Sequence, residues 1–252
     1  MAVGNVVTRP LAPASVRQIH AIIRGALGQA VKWEWVDRNV ALLASPPKLR
    51  RQPIRPPTAQ VIGVLLAKAE VEDPILALAV RLAVATGARR GELCALRWSD
   101  VDLEAGVVHI ARAVVEVTGR GSVVKAPKSY ADRWVSIDAG TVAALHKHRA
   151  NASGTADAYI LSRHPSGVRP WTPSNLTAHW INLCKAAGAP GIRFHDLRHF
   201  SVSHLLDAGI SLPAVAARHG HRDANVTLGI YGHAIDERDR QAADLMGRAL
   251  NP

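Results

Sequence analysis

Apolar residues recur at helical spacing along most of this chain. In the segment ASVRQIHAIIRGALGQAVKWEWV, Val16, Ile19, Ile23, Ala26 and Ala30 share one face, which predicts an amphipathic helix. Ser15 and Gln18 have the spacing of a capping box at its start. A shorter helix is expected around WVDRNVALLA. Periodicity then stops in SPPKLRRQPIRPPT, where five prolines and four basic residues (Lys48, Arg50, Arg51 and Arg55) predict a linker that also touches phosphate.

A larger helical unit begins at Thr58 with TAQVIGVLLAKAE. It continues through DPILALAVRLAVATG, with Asp73 as N-cap, Pro74 in the first turn and Gly87 as C-cap. ARRGELCALRWSDVDL reads as a short helix and turn. The period then changes to two: GVVHIARAVVEV, a TGRGS turn, VVKAPKS and RWVSID alternate like strands of a small antiparallel sheet. Helical spacing returns in DAGTVAALHKHRA, TPSNLTAHWINLCKAAG, FHDLRHFSVSHLLDAG, SLPAVAARHGH and DERDRQAADLMGRAL, with AYILS (158–162) as an expected extra strand. The pattern predicts a mainly α fold with a small antiparallel β-sheet, an α+β class.

Charge narrows the partner. Among 252 residues, 31 Lys and Arg outweigh 20 Asp and Glu, a formal net charge of +11. That excess favours a polyanion such as nucleic acid. Cys94 and Cys184 both lie in apolar helical segments, so no disulfide framework is expected and a reducing cytoplasm is the default. No apolar run approaches the ~20 residues that cross a bilayer.

Two stretches carry candidate chemistry. HDLRHFSVSHLLDAG, from His195, puts His195 and Arg198 three residues apart on one helix face, and HGHRDANVTLGIYGH follows from His219. A polar cluster in the core would also account for the first stretch. The spacing of His195 and His199 matches a zinc pair, but Asp196 stands where the protease motif has Glu, and cationic Arg198 sits between them. An arginine fork instead matches two oxygens of a phosphate. ATGARRGEL supplies a second candidate in Arg89 or Arg90.

Taken in order, TGARRGELCALRWSDVD, a hairpin with APKS, HDLRH, HGH, and a tyrosine ten residues after His221 resemble the catalytic domain of the tyrosine recombinase (phage integrase) family. The resemblance runs from about Thr58 to the end. It implies Arg89 as the first catalytic arginine, with Glu92 as its supporting partner and Arg90 as a flanking DNA contact. Lys128 matches the hairpin lysine, with Lys125 as the alternative. His195 and Arg198 match the His-x-x-Arg pair, His221 the later histidine, and Tyr231 the nucleophile. His199 is the best supporting candidate among the other histidines; His204, His219 and His233 are expected to be structural or phosphate-touching. His219 stands where the family usually has Leu.

Elementary chemistry agrees with these roles. A phenol of pKa near 10 is only about 0.1% ionised at neutral pH, so attack on a phosphodiester needs proton removal and charge stabilisation. Arg89, Arg198 and His221 are suited to the non-bridging oxygens, His195 to the phenolic proton, and Lys128 to the leaving 5′-hydroxyl. The resemblance implies strand exchange through a 3′-phosphotyrosyl link without ATP, metal or other cofactor.

It also implies an organisation. Residues 1–45 resemble the last part of a helical core-binding module, 46–57 a basic linker, and 58–252 the catalytic domain. The short front module leaves a second reading open, a truncated DNA-binding remnant unable to cleave, and a type IB topoisomerase is a third. Double-stranded DNA attachment sites are the implied partner, with accessory bending or directionality proteins. The stripe Ala242, Leu245, Met246 and Leu250 implies a homotetramer joined through the C-terminal helix, working at the nucleoid.

Overall fold

The computed structural model describes residues 10–49, 56–125 and 132–220. The chain divides into two compact units, residues 1–53 and 54–252.

In the first unit, α1 (Pro13–Lys32) starts two residues before the expected Ser15 cap, with Ala12 as N-cap and Pro13 in the first turn. Proline needs no partner for its missing N–H there and arrives with helical φ, so it overrides the capping box. The expected second helix is reduced to a 3-10 turn over Val40–Leu43, capped by the Asn39 side chain at 3.1 Å from the Ala41 N–H. Asn39 Nδ2 also donates to the Arg24 carbonyl (2.8 Å), and His20 Nε2 meets that of Ala41 (2.9 Å), so polar contacts fold this segment back on α1. No residue of α1 is buried.

The second unit follows the expected helices closely. α2 (Ala59–Glu72) is capped by Thr58 and α3 (Pro74–Thr86) by Asp73, whose carboxylate takes the Leu76 N–H at 3.1 Å. α3 is the central helix: eight of its thirteen residues are buried, which its near-continuous apolar run requires. α4 (Arg90–Cys94) follows at once. Later helices are α5 (Ala139–Ala150), α6 (Pro173–Ala186), α7 (Asp196–Asp207) and α8 (Leu212–His219). Trp180, Leu65, Leu76, Leu82, Leu93 and Leu161 are among the fully buried side chains of the main core. Val202, Leu206 and Val215 make a smaller one between α7 and α8.

The β region departs from expectation. GVVHIARAVVEV is two strands, β2 (Val107–Ile110) and β3 (Ala113–Val117), in different sheets. β2 lies between β1 (Val101–Asp102) and β5 (Arg133–Ser136), whereas β3 pairs only with β4 (Gly121–Lys125) in a hairpin. The break falls at Arg112, which turns its guanidinium onto the buried carboxylate of Asp100. The expected AYILS strand is a single antiparallel bridge between Tyr159 and Arg97. Cys94 and Cys184 are buried free thiols, and burial pushes them up to about 12 and about 11. No helix among the described residues is long and apolar enough to cross a membrane.

α3 stops at Gly87, with φ of +60°. A Cβ here would lie 2.2 Å from the ring of buried His219. Gly87→Ala therefore meets two costs, a left-handed backbone of about 1–2 kcal/mol and overpacking of about 1–3 kcal/mol. Chemical denaturation should show a loss of roughly 2–5 kcal/mol. Gly63, in α2 with nothing near its missing Cβ, is the control: its alanine variant should be neutral or slightly stabilised by about 0.5–1 kcal/mol.

Candidate active site

Three segments far apart in sequence meet at the C-terminal turn of α8. Arg89, just before α4, donates from Nη2 to the Gly220 carbonyl at 3.3 Å. Arg198, in the first turns of α7, donates to the carbonyl of Gly87 and, at 2.6 Å, to that of His219. The two arginines thus hold the successive carbonyls 219 and 220. Arg198 is buried, with 4% exposure, and two of its five donors engage these backbone oxygens. Arg89 keeps its side chain about half exposed, at 47%.

Glu92 fixes Arg89. Its carboxylate accepts the Arg89 N–H at 2.8 Å and Arg89 Nη1 at 2.9 Å, closing the first turn of α4 on itself. The other partner is Arg133 of β5, which donates from Nη2 at 2.8 Å. Burial alone would raise the Glu92 pKa, but hydrogen bonding and charge from Arg133, then from Arg89, outweigh it and hold the carboxyl below its ordinary value. Glu92 is therefore an ion at neutral pH, at 4% exposure. Removing one partner of such a pair typically costs about 3–5 kcal/mol.

Arg133 escapes a sequence reading because RWVSID looks like a surface strand. The period-two rule would have found it: Val135 faces the core, so Arg133 does too, and a charge on an inward face needs a carboxylate. Arg218 is also hidden in the helix pattern. It donates to the carbonyls of Ala85 (2.5 Å) and Ser136 (2.9 Å), binding α8 to α3 and β5.

His195 precedes α7, in a turn held by Arg193 and Asp196. The Asp196 carboxylate accepts the Arg193 N–H at 2.8 Å and its guanidinium at 2.7 Å. The rings of His195 and His199 meet edge to face at 4.8 Å. Desolvation, then His199 and Arg198, push the His195 pKa down to about 4. His195 is itself exposed, and its cationic and imidazole neighbours favour the same direction as desolvation. His199 is lowered as well, mainly by burial. His219 is a packed core side chain: Nδ1 lies 2.8 Å from the Val215 carbonyl and so carries a proton, and Nε2 pairs with Ser201 Oγ at 3.2 Å. The position usually held by Leu is filled by a buried, hydrogen-bonded ring.

Beside this junction opens a cleft of about 710 Å³. Arg89, Arg90, Lys185, Arg193 and His195 line it, over a floor that includes Ile181 and Ile192. Arg90 also donates to Thr177 Oγ1 on α6. Sequence reading had passed over Lys185 and Arg193. Lys125 ends β4, exposed, while Lys128, His221 and Tyr231 lie outside the described residues. Of the linker cations, Lys48 is exposed in the first unit; Arg50, Arg51 and Arg55 also lie outside the described residues.

Comparison with known proteins gives the family and the fold. Residues 58–238 match the phage integrase family. A prophage phiRv2 integrase of Mycobacterium tuberculosis is 33% identical over 261 aligned positions, covering 95% of this chain and 68% of the relative. Tyrosine recombinase XerC of Xanthomonas axonopodis pv. citri is 30% identical, over 80% of this chain and 63% of its own. Among solved structures, the Tn1549 transposon integrase in complex with transposon right end DNA superposes with a TM-score of 0.79, covering 92% of this chain and 80% of that one. At 20% identity it attests the fold. The class defined here is a DNA strand-breaking and rejoining enzyme that works through a tyrosine. The chain belongs to the phage integrase family, whose site-specific recombination serves the integration of mobile DNA.

The depressed His195 pKa has a measurable consequence. As pH falls below 6.5, the unfolded imidazole takes up a proton that the folded one accepts only near about 4, so stability declines across that window. An NMR titration should find His195 neutral at pH 6, with a midpoint near about 4. His199→Gln should move that midpoint upward; a wild-type midpoint at the ordinary value would contradict the assigned environment.

Proposed function

We propose that Tyr231 attacks a DNA phosphate seated against Arg89, Arg198 and His195. The convergence of Arg89 and Arg198 on one turn, across more than a hundred residues of sequence, with His195 lining the same cleft as Arg89, carries this reading. The phenolic oxygen forms a bond to phosphorus and the P–O5′ bond breaks, leaving a 3′-phosphotyrosyl link and a free 5′-hydroxyl. His195, neutral at working pH, accepts the phenolic proton. Lys128 delivers a proton to the departing 5′-oxygen, with Lys125 as the fallback. Arg89, Arg198 and His221 stabilise the charge that grows on the non-bridging oxygens. Attack by another 5′-hydroxyl reverses each step, so bond energy passes to a new strand.

Glu92 supports Arg89 in this scheme, and His199 supports His195 through the edge-to-face ring contact. Double-stranded DNA is the substrate. Arg90, Lys185 and Arg193 are placed around the cleft where flanking phosphates would pass, and Lys48, Arg50, Arg51 and Arg55 of the basic segment add contacts. A homotetramer on two sites, joined through the C-terminal apolar stripe, is the working assembly this reading expects, with accessory DNA-bending proteins and a place at the nucleoid.

Covalent trapping tests the scheme. The full chain and Tyr231→Phe would be mixed with nicked duplexes from the flanks of its coding region and resolved on a denaturing gel. A protease-sensitive DNA adduct should form with the wild type and be absent from the variant, which still binds. DNA bound without any adduct would overturn the assignment. Affinity should fall with salt at a logarithmic slope of about −0.9 per neutralised phosphate, and Arg193→Ala or Lys185→Ala should each reduce that slope by about one.

A further inference from the structure

Arg133 sits at the back of the site, outside the motifs that define it. Its Nη2 donates to Glu92 Oε2 at 2.8 Å and its Nε to the Arg218 carbonyl at 3.0 Å. The same guanidinium lies against Gly220: a Cβ built there would come within 2.9 Å of Nη1, at a residue whose φ is +64°. Glu92 in turn holds Arg89, and Arg89 reaches the Gly220 carbonyl. The contacts close into a ring, from Arg133 through Glu92 and Arg89 to the turn at Gly220 and back to Arg133.

Within that ring the two arginines differ. Arg133 is nearly buried, at 9% exposure of its side chain, while Arg89 is open to the cleft at 47%. Arg133 turns its guanidinium to Glu92 and the Arg218 carbonyl, and it is not among the residues that line the cleft with Arg89. It occupies one Glu92 oxygen, which leaves the other to orient the Arg89 guanidinium, and it packs on the turn that Arg89 touches. It also belongs to β5, the strand entered directly from the segment that holds Lys128.

We propose that Arg133 is a positioning residue for strand cleavage: acting through Glu92, it sets the direction of the Arg89 guanidinium and the position of the turn at Gly220. This rests on the assignment of Arg89 to the scissile phosphate. A lysine in its place keeps the charge but has no planar fork with which to engage Glu92 and the Arg218 carbonyl together.

The test compares cleavage of nicked duplexes that carry either an ordinary phosphodiester or a methylphosphonate at the scissile position. Methyl replacement of one non-bridging oxygen removes the charge that Arg89 would neutralise. Arg133→Met and Arg133→Lys would be measured beside Arg89→Met, with DNA affinity and thermal unfolding followed for each. On the phosphodiester, Arg133→Lys should lose about 10–100-fold in adduct formation, as supporting partners around a reacting centre typically do. Its DNA affinity should be unchanged. On the methylphosphonate, Arg89→Met and both Arg133 variants should recover most of their loss. A general folding defect would reduce cleavage of both substrates alike, and Arg133→Lys decides the matter should Arg133→Met fail to fold. Recovery by Arg89→Met without recovery by folded Arg133→Lys would overturn the role of Arg133, as would wild-type cleavage by Arg133→Lys. Failure of Arg89→Met itself to recover would overturn the underlying phosphate assignment.

Discussion

The Glu92 carboxylate, buried between Arg89 and Arg133, is the contact on which the rest of the site depends. A single carboxylate removed from water is costly, and here it is compensated by two guanidinium groups and a backbone N–H. Each partner comes from a different part of the fold. Arg89 brings the end of α3 and the start of α4; Arg133 brings β5 and the three-stranded sheet. Because the charge is stable only with its partners in place, electrostatics holds these elements in one geometry.

A second set of contacts surrounds the first, and it is made largely of carbonyl oxygens. Arg198, Arg218 and Arg89 all donate to backbone oxygens at the ends of α3, α8 or β5. The C-terminal carbonyls of a helix lack intrahelical partners and carry partial negative charge, so guanidinium groups satisfy both deficits. A basic protein built to meet phosphate can thereby use some of its arginines as internal struts. Arg198 contributes to both: it braces the junction of α3 and α8, and in the proposed reaction it also faces the phosphate.

His219 shows how tightly that junction is packed. Its ring fills the space left by the absent side chain of Gly87, and its two nitrogens are matched to a carbonyl and a hydroxyl. An imidazole can replace an aliphatic side chain here because both polar atoms have partners. His195, just before α7, is held neutral by desolvation first, and then by His199 and Arg198, which disfavour a positive charge on the ring. One histidine is locked into the packing and the other is suited to accept a proton, and their environments make the difference.

Much of this was legible in the residues themselves. Asp73, Pro74 and Gly87 mark the ends of α3 through local chemistry, and the apolar run between them requires a central helix; the ordered motifs from Arg89 to Tyr231 point to the reaction class. Local rules failed where a distant partner decided. Ser15 lost its capping role to Pro13, and the strand after Gly106 broke because Arg112 found Asp100. Period two along β5 puts Arg133 on the inward face with Val135, but nothing local names its partner, and only the fold brings Glu92 beside it. Sequence alone determined which residue types could perform the chemistry and where the helices begin and end, because propensity, capping and motif order act over a few residues. Tertiary structure decided which charges are buried together and which guanidinium faces the cleft, because desolvation and ion pairing depend on neighbours that the chain brings in from far away.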